Sequence, residues 1–338
     1  MLRGRIEWLD LFRGAAALLV VLYHFRGYVG LPWFDFGFVA VDLFFVLSGL
    51  VLGLKYTDSI ARGLSFREFA LLRLKRLYPM TFIAGLFVLV LNQLRLPPGT
   101  WAPAADFGAW TIFLLTPFPM RFGLVRGAFP ADGPVWSLWA ELASNVVWFT
   151  TIRHAKRWMP LLGAVTFVAM VCFAWRNHSL DYGAWQGVIP RLSSVVRATA
   201  WFSVGYWVAV ANPSVSVPPA LLLLLLLSVM AASVAGIQPA WLVSVTTAGV
   251  GSVLLISLSH APPPGRRTAR MARWLGMASF PMYLVHAPAG RLLPLVSSLP
   301  APMALALVVG AATLLATLLN EAAMKWLHRR PIAAASAT

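Results

Sequence analysis

The chain has 338 residues, 59% of them hydrophobic and only 11% charged, with a mean hydropathy of +0.76. A soluble domain carries about 25% charged residues, so this composition excludes a soluble globular protein and indicates an all-α polytopic membrane protein. The formal net charge of +16 would suit nucleic acid, but the basic residues cluster between apolar spans as topology signals do, and nucleic acid is not expected as a partner.

Membrane spans need about 20 apolar residues. The first is expected over about 9–29. Arg3 and Arg5 before it imitate a signal peptide, but Asp10 and Arg13 interrupt the apolar core and no small-residue cleavage site follows. It reads as a retained helix. A second span covers about 35–54. A basic connector follows (Lys55, Arg62, Arg67, Arg73, Lys75, Arg76), whose half from Ser65 to Leu77 is amphipathic and expected at the interface, before a third span at about 76–95. The Pro/Gly-rich stretch 96–134 contains only a short apolar run, 107–115, read as re-entrant or interfacial. Further spans are expected at about 135–152, 159–175, 192–211, 220–236, 240–260, 274–293 and 302–322. Residues 1–325 read as one membrane domain and 326–338 as a short basic, then Ala-rich, tail. The single cysteine, Cys172, allows no internal disulfide and reads as a buried small hydrophobe.

Charge decides the topology. If run 107–115 does not cross, both termini are cytoplasmic and the inside segments hold 18 of the 27 Lys and Arg residues. If it crosses, ten of those 18 move outside. The positive-inside rule therefore favours ten spanning helices, with membrane lipid as a contact of the basic segments.

A charge near the middle of a membrane helix costs roughly 2.5 kcal/mol or more, so polar residues inside spans mark candidate sites. Arg13 and His24 are eleven positions apart on the first span. That spacing is three turns plus roughly 20°, so both face one way, about 16 Å apart along the axis. Together they form one wall of a polar tunnel. Asp10 can pair with Arg13 at i, i+3. His24 is the candidate general base. Asp42 in the second span needs a partner, either His24 or a nearby cation, and Ser48 with Gly49 fits close helix packing. Arg73 and Arg76 share a helix face suited to phosphate, or serve as topology charges. Glu141 lies about two turns into the fourth span, beyond Trp136 and Ser137, and can receive an acceptor hydroxyl, support an imidazolium or neutralise an arginine. His286 sits at a depth comparable to His24, with Tyr283 one turn before it. His154, His178, His260 and His328 read as surface groups, and no His/Asp/Glu spacing suggests a metal. A proton-coupled transporter or flippase, with Asp42, Glu141 and His24 as a relay, is the rival class, although no internal repeat is evident.

Together these stretches resemble the acyltransferase 3 family of integral membrane acyltransferases. The resemblance rests on Leu9-Asp10…Arg13-Gly14…His24, on Val41-Asp42-Leu43-Phe44-Phe45-Val46-Leu47-Ser48-Gly49, on Arg73…Arg76…Pro79, on Trp136-Ser137-Leu138…Glu141, and on Gly276…Ser279-Phe280…Tyr283-Leu284…His286. Leu11-Phe12 replaces the usual Gly-Leu, and Leu50 stands where Phe is common. The resemblance implies transfer of an acyl group, usually acetyl from acetyl-CoA, to a hydroxyl of a carbohydrate or, alternatively, of a small molecule such as a macrolide. No permanently bound cofactor is expected. The setting implied is a bacterial cytoplasmic membrane. Arg13, Arg73 and Arg76 would then hold CoA phosphates, His24 would act on the acceptor hydroxyl with Glu141 and Asp42 orienting it, and Asp10, Ser48, Trp136, Ser137, Tyr283 and His286 would support the site or acceptor. The oligomeric state is not legible.

Overall fold

The computed structural model describes residues 7–31, 34–93, 134–180, 188–211, 239–329 and scattered residues between 218 and 237. All elements among the described residues are helical. They are α1 (Glu7–Val29), α2 (Ala40–Ala61), α3 (Phe66–Gln93), α4 (Val135–Ala155), α5 (Met159–Arg176), α6 (Val188–Ala211), α7 (Ala240–His260), α8 (Arg266–Ala289) and α9 (Ala301–Arg329). Short 3-10 turns at Gly37–Val39, Lys156–Trp158 and Gly290–Val296 join some of them. Run 107–115 and the Ala-rich end at 332–338 lie outside the described residues, as does most of the expected span 220–236.

Among the described residues, five segments are long and apolar enough to cross a membrane: Glu7–Val29, Gly37–Ala61, Lys156–Arg176, Ala240–His260 and Ala301–Leu327. Helices α4, α6 and α8 are more polar, carrying Glu141, Arg197 and the Arg266–Arg273 cluster, respectively.

Two helix pairs form the centre. Helices α1 and α8 run parallel, with Asp10 against Gly276, Gly14 against Leu275 and His24 beside His286. A Cβ at Gly276 would lie 2.5 Å from an Asp10 carboxylate oxygen. Helices α2 and α6 also run parallel, from the Asp42–Arg197 pair to Gly53 against Ala209. Here a Cβ at Gly49 or at Gly205 would collide with the opposite backbone. Small residues let two membrane helices approach to backbone contact, so the side chains along the seam are held in fixed register.

The remaining directions follow from side-chain pairs. Helix α4 is parallel to α2, since Trp136 meets Phe45 and Glu141 meets Ser48. It is antiparallel to α3, since Glu141 meets Arg73 while Trp148 and Phe149 meet Phe69.

Several local outcomes differ from the sequence reading. The interfacial segment and third span are one helix, α3, with Pro79 inside it. It opens on a capping box in which Ser65 and Glu68 exchange hydrogen bonds, and these hold the Glu68 carboxyl below the usual range. Helix α8 begins at Arg266 rather than near 274, because its arginines extend the helix out of the apolar region. Helix α9 runs to Arg329, past the expected start of the tail at 326. Cys172 is exposed, not buried, since apolar residues of a membrane helix can face lipid as well as protein.

Candidate active site

His24 lies near the end of α1, one turn beyond Val20. Its Nδ1 is 2.9 Å from the Val20 carbonyl and 3.3 Å from His286 Nε2. His286 is fully buried, and its Nδ1 is 3.2 Å from the Met282 carbonyl. A carbonyl only accepts, so His286 carries its proton on Nδ1 and offers Nε2 as acceptor. By the same argument His24 carries its proton on Nδ1 and shares it between Val20 and His286. In its neutral form His24 therefore keeps its lone pair on Nε2, the form a general base requires. The parallel α1–α8 seam places the two rings side by side, with centroids 4.9 Å apart.

His24 lines a polar cavity of about 270 Å³ with Tyr23, Arg26, Trp136, Arg197 and Tyr283. A second, narrower cavity of about 120 Å³ is lined by Arg13, Arg73, Arg76, Ser48, Glu141, Ser137 and Tyr283. Val41 and Tyr283 belong to the walls of both. The Tyr283 hydroxyl is 2.6 Å from Ser137 Oγ, which donates to the Pro134 carbonyl at 3.0 Å. The two cavities thus share a wall at Tyr283, with Arg13, Arg73 and Arg76 lining one and His24, Arg26 and Arg197 lining the other.

The acidic residues have partners that the sequence reading did not name. Asp42 is wholly buried and receives two hydrogen bonds from Arg197, from Nε at 2.6 Å and from Nη2 at 2.8 Å. Arg197 also donates to the Leu180 carbonyl and lies 5.6 Å from the centre of the Trp136 ring. This resolves the choice left open for Asp42 in favour of a cation. Glu141 accepts from Arg73 at 2.6 Å and from the Ser48 hydroxyl. It lies in the wall of the arginine cavity, whose lining does not include His24. The structure therefore places Asp42 and Glu141 at ion pairs, and the residue set against the Nδ1 side of His24 is His286.

Arg73 is buried and paired, and its Nε lacks a partner, whereas Arg76 is exposed and Arg13 half-buried. The expected Asp10–Arg13 pair is present at 3.8 Å. Asp10 packs at the α1–α8 crossing and lines neither cavity. His154, His178 and His260 are exposed. Among the described residues no three His, Cys, Asp or Glu side chains gather as metal ligands. Arg197 escaped the sequence reading. It was visible there as a lone arginine in an apolar span without an acid of its own.

The model of the acyltransferase 3 family, described as an acyltransferase domain, matches residues 6–321. The chain belongs to this family. It is 35% identical over 188 residues to "Protein 2 in picA locus" of Rhizobium radiobacter, a match covering 50% of this chain and 95% of that protein. It is 24% identical over 320 residues to the peptidoglycan O-acetyltransferase OatA of Listeria monocytogenes, covering 85% of this chain and 49% of OatA. An 82-residue match at 38% identity links it to the putative peptidoglycan O-acetyltransferase YrhL of Bacillus subtilis, covering 23% of this chain and 12% of YrhL. The chain thus spans about half the length of OatA and a smaller part of YrhL. No solved structure matches it significantly. Family membership favours the acyltransferase over the carrier.

Proposed function

We propose that this acyltransferase moves an acyl group, most simply acetyl, from cytoplasmic acyl-CoA to a hydroxyl of a carbohydrate acceptor, such as a cell-surface polysaccharide or lipid-linked sugar. One observation carries the reading: the cavity lined by Arg13, Arg73 and Arg76 and the cavity lined by His24 share Val41 and Tyr283 as a common wall. The narrow cavity suits an extended pantetheine arm, not a nucleotide, so the CoA phosphates would stay at its mouth with Arg76 and Arg13. The thioester would reach Tyr283 and Ser137. The acceptor would enter the His24 cavity, where Trp136 offers a ring face to a sugar.

His24 Nε2 takes the hydroxyl proton of the acceptor, and the oxygen attacks the thioester carbonyl carbon. The C–S bond breaks, and the CoA thiolate recovers the proton from His24. His286 accepts the Nδ1 proton of His24 in a hydrogen bond and fixes the ring, as an orienting partner does for a catalytic base. The Tyr283 hydroxyl gives its proton to Ser137 or Pro134 in the resting site and would turn it to the thioester oxygen as negative charge develops there.

The helix directions support ten crossings, and the basic residues between spans support cytoplasmic termini; the setting we infer is a bacterial inner membrane. Antiparallel α3 and α4 require an even number of crossings between them, as when run 107–115 does not span. Parallel α1 and α8, and parallel α2 and α6, fit the same count. The names of the Listeria and Bacillus relatives support a carbohydrate acceptor.

The test uses purified protein in proteoliposomes supplied with acetyl-CoA and an oligosaccharide acceptor. Acceptor-dependent release of CoA thiol is expected. Movement of the acceptor across the bilayer without thiol release would instead establish a carrier.

A further inference from the structure

Helices α5 and α6 enclose a groove of about 650 Å³ that shares no lining residue with either polar cavity. Its walls are apolar and include Gly163, Ala164, Phe167 and Val204. It opens sideways: Val168, Trp207 and Val210 line it and are each more than half exposed. Helix α5 is the most peripheral of the long apolar segments, with only 17% of its span buried. From Pro160 to Val168 the groove follows eight residues of helix, about 12 Å.

One end is charged. Lys156 lines the groove just before α5 begins. Arg153 and Arg157 flank it, and the Arg157 guanidinium lies 5.4 Å from the centre of the Trp158 ring. Neither helix forming the groove contains an acidic residue. Exposed Trp158 and Trp207 accompany this end, as aromatic residues do at a membrane interface.

We propose that the groove is a binding site for an anionic phospholipid. One acyl chain lies between α5 and α6 and the phosphate rests on the Lys156 ammonium. Charge complementarity selects the headgroup, because a zwitterionic lipid brings its own cation to a mouth that is already positive. The length and apolar walls of the groove select the chain.

Native mass spectrometry of the full chain in detergent tests this, with phosphatidylglycerol and phosphatidylcholine of identical acyl chains as probes. Phosphatidylglycerol should be retained about tenfold more tightly at one site. Lys156→Gln should reduce that preference to within about twofold. Ala164→Trp, at an exposed wall position, should weaken both lipids at the site. Lys325→Gln, on the distant end of α9, should leave the preference intact. Equal retention of the two lipids by the unaltered protein would overturn the proposal, as would an equal loss of preference in Lys325→Gln. A lipid-free dimer dispersed by Ala164→Trp would assign the face to a second copy of the chain and overturn it too.

Discussion

His286 Nε2 stands 3.3 Å from His24 Nδ1, and the Met282 carbonyl fixes the proton of His286 on its other nitrogen. One buried imidazole therefore joins the Val20 carbonyl in setting the tautomer and ring orientation of a second that faces a cavity. The base and its orienting partner come from different helices, and the α1–α8 seam aligns them.

This arrangement predicts that His286→Ala lowers kcat by about 100-fold, the lower end of what a positioned acid–base group contributes, while KM for acetyl-CoA changes little. A glutamine at 286 can still offer a carbonyl oxygen to His24, so His286→Gln should recover part of the rate. Steady-state kinetics on the two variants separates this from a fold defect, which would lower the active fraction of both and leave no recovery.

The Asp42–Arg197 pair predicts a stability signature. Removing one partner leaves a buried charge, and such losses cost about 3–5 kcal/mol. Arg197→Met or Asp42→Asn alone should sharply lower the unfolding temperature in detergent. The double variant should be more stable than Arg197→Met alone, since no charge is left stranded. Equal destabilisation in the double variant and Arg197→Met would count against the pair as the dominant interaction.

The arginines of the narrow cavity should behave differently from one another. Arg76→Ala should raise KM for acetyl-CoA with kcat nearly unchanged, the pattern of a lost uniform binding contact. Arg73→Ala should mainly destabilise the protein, because it strands Glu141. Neutralising that carboxylate with Glu141→Gln should restore much of the lost stability. Thermal unfolding alongside CoA titration distinguishes the two roles, and a large KM effect from both residues would restore Arg73 to the phosphate grip.

Much of this was legible in the sequence because the membrane makes polar residues conspicuous. The eleven-residue interval between Arg13 and His24 placed them on one face, and each now lines one of two adjoining cavities. The need of Asp42 for a partner was equally plain. Its identity was not, because Arg197 lies 155 positions away and only the α2–α6 crossing brings it near. For Glu141 the sequence leaves a histidine and an arginine both open as company, and side-chain length lets Arg73 reach it from α3. The start of α8 was obscured because Arg266, Arg267, Arg270 and Arg273 look like a loop by hydropathy while favouring helix by backbone propensity.

The central claim is that His24 performs the transfer while the arginine cavity holds the donor. The most direct measurement compares His24→Ala with the unaltered protein in two assays, acetyl transfer to acceptor and equilibrium binding of CoA. The account predicts transfer reduced at least 100-fold with CoA affinity unchanged within about twofold. Transfer retained above about a tenth of the unaltered rate would contradict it.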